Sequence, residues 1–474
     1  MIKSLRRAAA SAAVLVLAGC ASVDFEQAVH DTNRATQEFT QGKLKLVADG
    51  SQREAQAQLV SELLDKPLSM DDAVQLALAN SPAMQRLLAQ SWADMAAANQ
   101  AGRIANPVFT FERMRLGSEL ELGRLLSVGL LDILTLPYRQ GISRNQVAQA
   151  RVQLSANVVE QVGQVRQAWV RAVTARQLLE YAEQVNKTAQ ASAELAKRMQ
   201  QVGNFTRLQR ARQQVFYADS AAQLASARHA DTAAREELVR QLGLDDAQAS
   251  MLKLPDRLPE LPKEPRAAAE VSAATAQQRL DVQLARLQLD VAGRAQGLTL
   301  LNNLVDAEVG VRRDTLFENN GTGGRATRRG YELGLRLPIF DAGGAQRASM
   351  NATSLAAANR YDSVMRSAGS HLRESYSAYR TAYDLARHYR DEIVPLRKTM
   401  ADENVLRYNG MLIGVFELLA DTREQIASVM QAINAQQQFW LADAALSASV
   451  IGKPTAIGAT SVSTGPASAA AAGH

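Results

Sequence analysis

The side chains most often used in catalysis and metal binding are few in this chain and are not clustered. The five histidines are far apart and lack the spacing of metal ligands: His30, His229, His371, His388 and His474. The single cysteine excludes a Cys-pair metal site and an intramolecular disulfide. The paired glycines at 323–324 and 343–344 lack the GxxxxGK[ST] or GxGxxG pattern of a phosphate loop. The sequence therefore predicts a protein that is not an enzyme and holds no metal or bound cofactor.

The one reactive side chain in a distinctive position is Cys20. A basic start with Lys3 and Arg6 precedes a short apolar run that ends in Leu-Ala-Gly-Cys at residues 17–20. This pattern is typical of an export signal, and the run is too short to span a bilayer. The tetrapeptide resembles a bacterial lipobox, in which the signal is removed and Cys20 carries diacylglycerol and a palmitoyl chain; the alternative is a stray core cysteine. Ala21, where proteins retained in the inner membrane more often carry Asp, favours the outer membrane.

The composition indicates long helices rather than compact α/β domains. The chain has 474 residues, of which only 5% are aromatic, and its prolines are few and clustered. Its formal net charge of +5 is small for this length, and both signs are interspersed. A nucleic-acid partner is therefore not expected, because such partners need a clustered basic face.

The chain consists of two similar halves. Apolar residues spaced alternately by four and three recur 214 positions later: Val158, Val162, Val165, Trp169 and Ala172 in the first half, and Leu372, Tyr376, Tyr379, Tyr383 and Ala386 in the second. A second match, offset by 211, relates Gly203 and Phe205 to Gly414 and Phe416. The four-three spacing is typical of a coiled-coil seam, and two matches in the same order predict an internal duplication.

Two uninterrupted helical patterns, at about residues 141–201 and 346–393, each precede a turn and a return helix. Each half is therefore predicted to form an antiparallel hairpin on the order of 75 to 90 Å long. A single hairpin of small side chains buries little apolar surface, so its stability must come from packing against other hairpins. This pattern predicts an oligomer.

Short segments between the helices alternate apolar and polar residues, most clearly where Tyr331, Leu333 and Leu335 are separated by polar positions. This is typical of membrane β-strands with one lipid face and one lumen face, although strands of a soluble sheet are the alternative. The polar, glycine-rich residues 314–330 are expected to form a surface loop. An open sheet would expose its edges, and a barrel shared between several copies removes them.

The predicted organisation has six parts. They are a lipoprotein signal peptide (1–19), a lipid anchor and tether (20–67), a first repeat (68–253) with strands at about 107–113 and 120–131, a Pro-rich linker (254–265), a second repeat (266–454) with strands at about 305–313 and 330–338, and a disordered tail (455–474).

Four motifs, in the same order, resemble those of the TolC-like outer-membrane efflux proteins, in particular their lipoprotein subgroup. They are LSMDDAVQLALANSP at 68–82, LP at 136–137, LPIFDAGG at 337–344 and RYNGMLIGVFELL at 407–419. The resemblance covers about residues 68–454. It departs from the family at 280–282, where Leu-Asp-Val replaces the usual Pro-Asp-Val and a weaker kink is expected.

The resemblance implies a mainly α fold with a membrane β-barrel. Long antiparallel coiled-coil hairpins would form a trimeric α-barrel tunnel, and four strands per chain would contribute to a shared 12-stranded barrel. It implies a homotrimer, lipid-anchored in the outer membrane with a large periplasmic extension, whose partners are a periplasmic adaptor protein, an inner-membrane pump and outer-membrane lipid. The function implied is the passive exit duct of a tripartite efflux system for small molecules or metal ions. Two alternatives stay open, the duct of a type I protein secretion system and a pore-less periplasmic coiled-coil structural lipoprotein.

The resemblance also assigns residues to the periplasmic aperture, which in relatives closes through bonds between helices and rings of carboxylates. Tyr408 corresponds to the latch tyrosine and Glu417 to the first ring carboxylate. The second ring position falls on Ala420, with Asp421 one residue later and therefore rotated by about 100° around the helix. A carboxylate ring in a narrow pore favours cations. The alternatives are that Glu417 is a solvated residue near a helix N-terminus and that Tyr408 packs against its neighbours.

The turns of the two hairpins supply candidate adaptor contacts: Gly203, Phe205, Gly414 and Phe416. For the two phenylalanines, packing of the hairpin tip is the alternative interpretation.

Overall fold

A computed structural model of the chain describes residues 24–40, 44–47, 50–117, 119–268, 279–302, 306–318, 324–336 and 343–454. The signal peptide, Cys20, the tail from residue 455 and residues 337–342 of the third motif lie outside these ranges. The predictions made for them therefore stay predictions.

Four helices precede the first strand: α1 (Phe25–Thr40), α2 (Gly50–Leu64), α3 (Met70–Asn80) and α4 (Pro82–Ala101). Ser69 caps α3, because its Oγ accepts a hydrogen bond from the Asp72 amide at 3.1 Å and so satisfies a donor that the helix start leaves unpaired. Pro82 begins α4, since a residue without an amide hydrogen is tolerated in the first helical turn. The motif at 68–82 therefore forms two helices joined by a kink.

The first helical hairpin follows the first two strands. It consists of α5 (Leu130–Leu134), α6 (Leu136–Gln201), α7 (Arg207–Leu242) and α8 (Asp246–Met251). The 66 residues of α6 span about 100 Å. Thr206 and Gln209 form a capping box that starts α7. The return helix is thus fixed by local hydrogen bonds at the point where the chain reverses.

The four strands form one antiparallel sheet in the order β1-β2-β3-β4. They are β1 (Val108–Leu116), β2 (Glu119–Gly129), β3 (Asp306–Glu318) and β4 (Arg325–Arg336). The mainly helical fold with four strands is therefore confirmed. The expected loop at 314–330 is wrong in its extent, because β3 continues through Glu318 and β4 begins at Arg325. The residues near Asp314 and Arg328 are mostly polar, so the apolar alternation weakens there while the backbone pairing of Asp314 with Arg328 continues the ladder.

The second hairpin consists of α9 (Leu280–Asn302), α10 (Gly344–His388), a π-helical turn (Tyr389–Ile393), α11 (Val394–Asn409) and α12 (Val415–Ile451). The sequence pattern suggests that the helix ends before Pro395. In the structure the helix continues past this residue. The wider π turn directly before it accommodates a residue that cannot donate an amide hydrogen bond. No helix among the described residues is both long and apolar enough to cross a membrane.

The apolar residues at four-three spacing, here called the apolar stripes, supply much of two clusters of buried core residues. Trp169 in α6 is fully buried, and its Nε1 donates a hydrogen bond to the carbonyl oxygen of Leu68 at 2.8 Å. In the second half, the rings of Tyr379 and Tyr383 pack against Phe439 of α12, with centroids 5.6 and 5.7 Å apart. The stripes therefore join the long helices to the N-terminal helices in one half and to the return helix in the other.

Candidate functional site

The sheet has one apolar face and one charged face. Cross-strand partners share a face, and the register places Phe109, Leu126, Val311 and Tyr331 side by side in one row across all four strands. Tyr331 is 90% exposed and Phe109 is 63% exposed. A row of exposed aromatic and aliphatic side chains is the pattern of a sheet that meets a nonaqueous medium on that face.

The opposite face carries an ion-pair network centred on Arg312 of β3. Its guanidinium lies 2.8 Å from the Glu112 carboxylate of β1, 3.0 Å from Asp314 and 3.8 Å from Glu332 of β4. On the same face, the Ser127 hydroxyl donates a hydrogen bond to the Glu308 carboxylate. This face is acidic, and Arg312 pairs with three of its carboxylates.

The two hairpin turns differ although their sequences match. Gly203, two residues after the end of α6, has φ +80°, a left-handed conformation in which a side chain would be strained. Gly414 instead has φ −82° and is the N-cap of α12, so any residue could adopt its backbone conformation. The left-handed residue of the second turn is Met411, with φ +58°. The repeated sequence motif therefore adopts different backbone conformations at the two turns.

The turns expose apolar side chains that the sequence prediction missed. Met411 is 93% exposed, Leu412 76% and Val202 71%. Phe205 is only half-buried, and the Phe416 side chain lies outside what the structure describes. Apolar residues inside a polar turn were the available signal. They mark both tips as apolar surfaces that the described residues leave exposed.

The three aperture candidates flank the second turn but are not equivalent. Tyr408 is 40% exposed at the end of α11, and Glu417 and Ala420 are exposed on α12. Asp421 is half-buried and accepts a hydrogen bond from Asn404 Nδ2 of α11. Asp421 is thus engaged within its own hairpin, while Glu417 points to solvent.

Further from the tip, polar contacts link neighbouring helices. Arg397 of α11 pairs with Glu424 of α12, and the Tyr389 hydroxyl donates to Gln431 Oε1 at 2.9 Å. The guanidinium of Arg423 lies 4.3 Å from the centre of the Phe216 ring of α7. This cation–π contact connects the first hairpin to the second.

A cavity of about 450 Å³ lies where the N-terminal helices, α6, α12 and the linker meet. Arg166 is buried there; its Nη2 donates to the carbonyl oxygen of Phe39 at 2.7 Å and lies 3.9 Å from Asp71. Arg266 lies 3.0 Å from Asp443. Burial raises the pKa of Asp443 against the effect of both arginines, and burial lowers the pKa of Arg166. With balanced charges, the cluster is best explained as an ionic joint between segments.

No protein-family model matches the chain, and no curated protein sequence matches it. Solved structures do match. A membrane protein from Pseudomonas aeruginosa has a TM-score of 0.68 at 18% identity, covering 83% of this chain and 93% of that chain. The CmeC outer membrane channel of Campylobacter jejuni has a TM-score of 0.68 at 12% identity, covering 87% and 89%. The outer membrane protein VceC of Vibrio cholerae has a TM-score of 0.65 at 14% identity, covering 84% and 96%.

Proposed function

Since this chain has the TolC-like fold of outer-membrane efflux channels, we propose that it is the passive outer-membrane duct of a tripartite efflux system. The observation that carries the proposal is the combination of a sheet with one exposed apolar face and helical hairpins about 100 Å long. The sheet would lie in the membrane, and the hairpins would extend through the periplasm.

The sheet supports assembly from several copies. β1 and β4 are its outer strands, and neither has a second strand partner in the described part of the chain. Exposed strand edges favour pairing with another chain. Pairing β1 of one copy with β4 of the next, in a homotrimer, would close a 12-stranded barrel with its apolar face to lipid and the Arg312 face to the lumen.

The hairpins support a tunnel. Their stripes at four-three spacing bury one side of each long helix, and coiled-coil packing of three copies would bury further surface and stabilise the hairpins. The lumen would then continue from the barrel through the helical region. A periplasmic coiled-coil tether without a pore would need neither the strands nor their apolar face.

The exposed tips support docking of a periplasmic adaptor, which would connect the duct to an inner-membrane pump. Val202, Met411 and Leu412 are the strongest contacts to expect there, beside Gly203, Phe205, Gly414 and Phe416. At the aperture, Tyr408 and Glu417 would face the lumen in the assembled trimer. Asp421 would support the hairpin through Asn404 instead of forming a second carboxylate ring.

The test is assembly and conductance of the full-length chain. We expect heat-modifiable trimers in the outer-membrane fraction and ion conductance when the purified trimer is added to a planar bilayer. A helical monomer that leaves the membrane when its lipid is removed, and that conducts no ions, would overturn the proposal. The cargo, small molecules or metal ions, would be identified by the compounds to which a deletion strain becomes sensitive.

Cys20 and its lipid form an auxiliary anchor in this proposal, because four strands per chain would hold a trimer in the membrane. A Cys20→Ala variant with a cleavable signal is expected to form trimers in the outer membrane. Its failure to do so would show that the lipid is required for assembly.

A further inference from the structure

The apolar face of the sheet changes character along the strands. From the helical end outward, its rows are apolar up to the row of Phe109 and Tyr331. Beyond that row, six arginines lie on the same face: Arg113, Arg115, Arg124, Arg313, Arg325 and Arg329. The register places no acidic residue on this face in the described strands. The arginines occupy the last three rows, over about 13 Å at 3.3 Å per residue.

Three of these arginines lie directly opposite one another. Arg124 of β2 pairs in register with Arg313 of β3, and Arg313 pairs with Arg329 of β4. Like charges at directly opposed positions repel each other, because their Cβ atoms are only about 5 Å apart. A sheet that retains such a row without an acidic neighbour on the face has a surface that an anion would stabilise.

The contrast with the other face is direct. There, Arg312 is paired with Glu112, Asp314 and Glu332. The six arginines have no ion-pair partner among the side chains that the structure describes, and five of them are exposed. The only ring contact described for them is between Arg325 and Phe317, at 5.7 Å from the ring centre. Their charges are therefore available to a partner outside the chain.

The position of the arginines identifies that partner. Charged residues on the lipid face of a barrel are unfavourable at the membrane centre and nearly neutral at its interfaces. We therefore place the apolar rows in the hydrocarbon and the arginine rows nearest the headgroups of the leaflet furthest from the helices. That leaflet is the outer one if the helices extend into the periplasm.

We propose that this arginine band binds the phosphorylated sugar headgroup of the glycolipid in the outer leaflet of the bacterial outer membrane. Guanidinium groups bind phosphate oxygens through paired, charge-assisted hydrogen bonds. The acyl chains of the same lipid would cover the row of Phe109, Leu126, Val311 and Tyr331. This inference rests on the proposed location in the outer membrane.

The test measures the affinity of the purified full-length protein, in neutral detergent, for bisphosphorylated lipid A. The main variant is Arg124→Gln/Arg313→Gln/Arg329→Gln, which removes the row of three. Each membrane-proximal arginine contributes about fivefold to binding of an anionic surface, so the triple variant should bind about a hundredfold more weakly. Without lipid, the same variant should unfold at a higher temperature than the natural chain, because the opposed charges are gone.

A comparison of two single-residue variants is the control in case the triple variant misfolds. Arg329→Gln should weaken binding, whereas Arg328→Gln, the neighbouring residue on the opposite face, should not. Equal effects of these two variants on the affinity for lipid A would overturn the proposal. Equal affinity of the protein for lipid A stripped of its phosphates, or for inorganic phosphate alone, would also overturn it. A triple variant that changes oligomeric state but keeps its lipid affinity would mark the band as a protein interface and also overturn it. Trimers that insert and conduct but bind no lipid A would leave the duct intact and reject only the lipid site.

Discussion

At the scale of single residues, Gly243 joins the first hairpin to the N-terminal helices. Its φ of +69° is a left-handed conformation that favours glycine at a helix end. A Cβ at this position would lie 2.4 Å from Pro82 Cδ, and Asn80 Nδ2 donates to the Gly243 carbonyl oxygen at 2.9 Å. The Asn-Ser-Pro end of the first motif is thus the docking point for the end of α7.

Replacing Gly243 by Ala should therefore lower the free energy of unfolding by about 2 to 5 kcal/mol. About 1 to 2 kcal/mol comes from the left-handed backbone and about 1 to 3 kcal/mol from overpacking against Pro82. The matched control is Gly293→Ala in α9, where a Cβ would meet nothing within 4 Å and where we expect a gain of up to about 1 kcal/mol. Chemical unfolding in detergent measures both, and similar values for the two variants would contradict the packing argument.

Asp72 predicts a specific dependence of stability on pH. Partial burial opposes its ionisation, but hydrogen bonds from Lys66 and Ser69 outweigh that effect and lower the pKa of Asp72. A pKa below the unfolded value of about 3.9 gives a stabilising contribution that is complete above that value and is lost as the pH falls through the folded pKa. An Asp72→Asn variant should be less stable at neutral pH and should lose less stability on acidification. Parallel curves of unfolding temperature against pH would exclude Asp72 as a source of the effect.

At the scale of elements, the sheet combines strands from both halves of the chain, and its function depends on the register between them. The centre of the charged face is Arg312 of β3, which contacts Glu112 of β1 and Glu332 of β4. Alternation along each strand could be predicted from the sequence. The meeting of these particular side chains could not, because it depends on how distant strands align.

Arg312→Gln should make the assembled channel more cation-selective. The substitution removes a positive charge from a face that carries Glu112, Asp314 and Glu332, so the potential in the lumen becomes more negative. The reversal potential under a potassium chloride gradient measures this change. Arg313→Gln is the matched control, because the adjacent residue lies on the opposite face and should leave the reversal potential unchanged. A shift of equal size in both variants would show that the charged face does not line the pore.

At the scale of the whole molecule, the Pro-rich linker between the halves is held by tyrosines of the second hairpin. The Tyr383 hydroxyl contacts the carbonyl oxygens of Pro262 and Lys263 at 3.1 and 2.9 Å. The Tyr379 hydroxyl accepts a hydrogen bond from the Arg266 amide at 3.1 Å. The sequence indicated these tyrosines only as apolar positions of a coiled-coil seam, so their polar role is a finding of the structure.

Tyr383→Phe should make the linker about tenfold more sensitive to trypsin. Loss of the hydroxyl leaves two carbonyl groups without their partner, at a cost of about 1 to 2 kcal/mol in the local opening equilibrium. The control is Tyr389→Phe, which removes a hydroxyl bonded to Gln431 within the hairpin and should not expose the linker. Cleavage after Lys263 can be followed by mass spectrometry. Unchanged cleavage in Tyr383→Phe would mean that apolar packing alone holds the linker.

The sequence by itself determined the long hairpins, the four strands and the capped start of α3 at Ser69. These features follow from periodicity and from residues close together in the chain, which set the local backbone geometry. It also placed Glu417 and Asp421 near the second turn. It did not indicate which of the two carboxylates would point to solvent.

Only the tertiary structure decided which residues meet across the molecule. It bonds Asp421 to Asn404, assigns the left-handed turn to Met411 instead of Gly414, and aligns Arg124, Arg313 and Arg329 in one row. The physical reason is that a one-residue change in register or rotation moves a side chain to another face. Such alignments depend on packing between segments far apart in the chain, which no local pattern in a single sequence encodes.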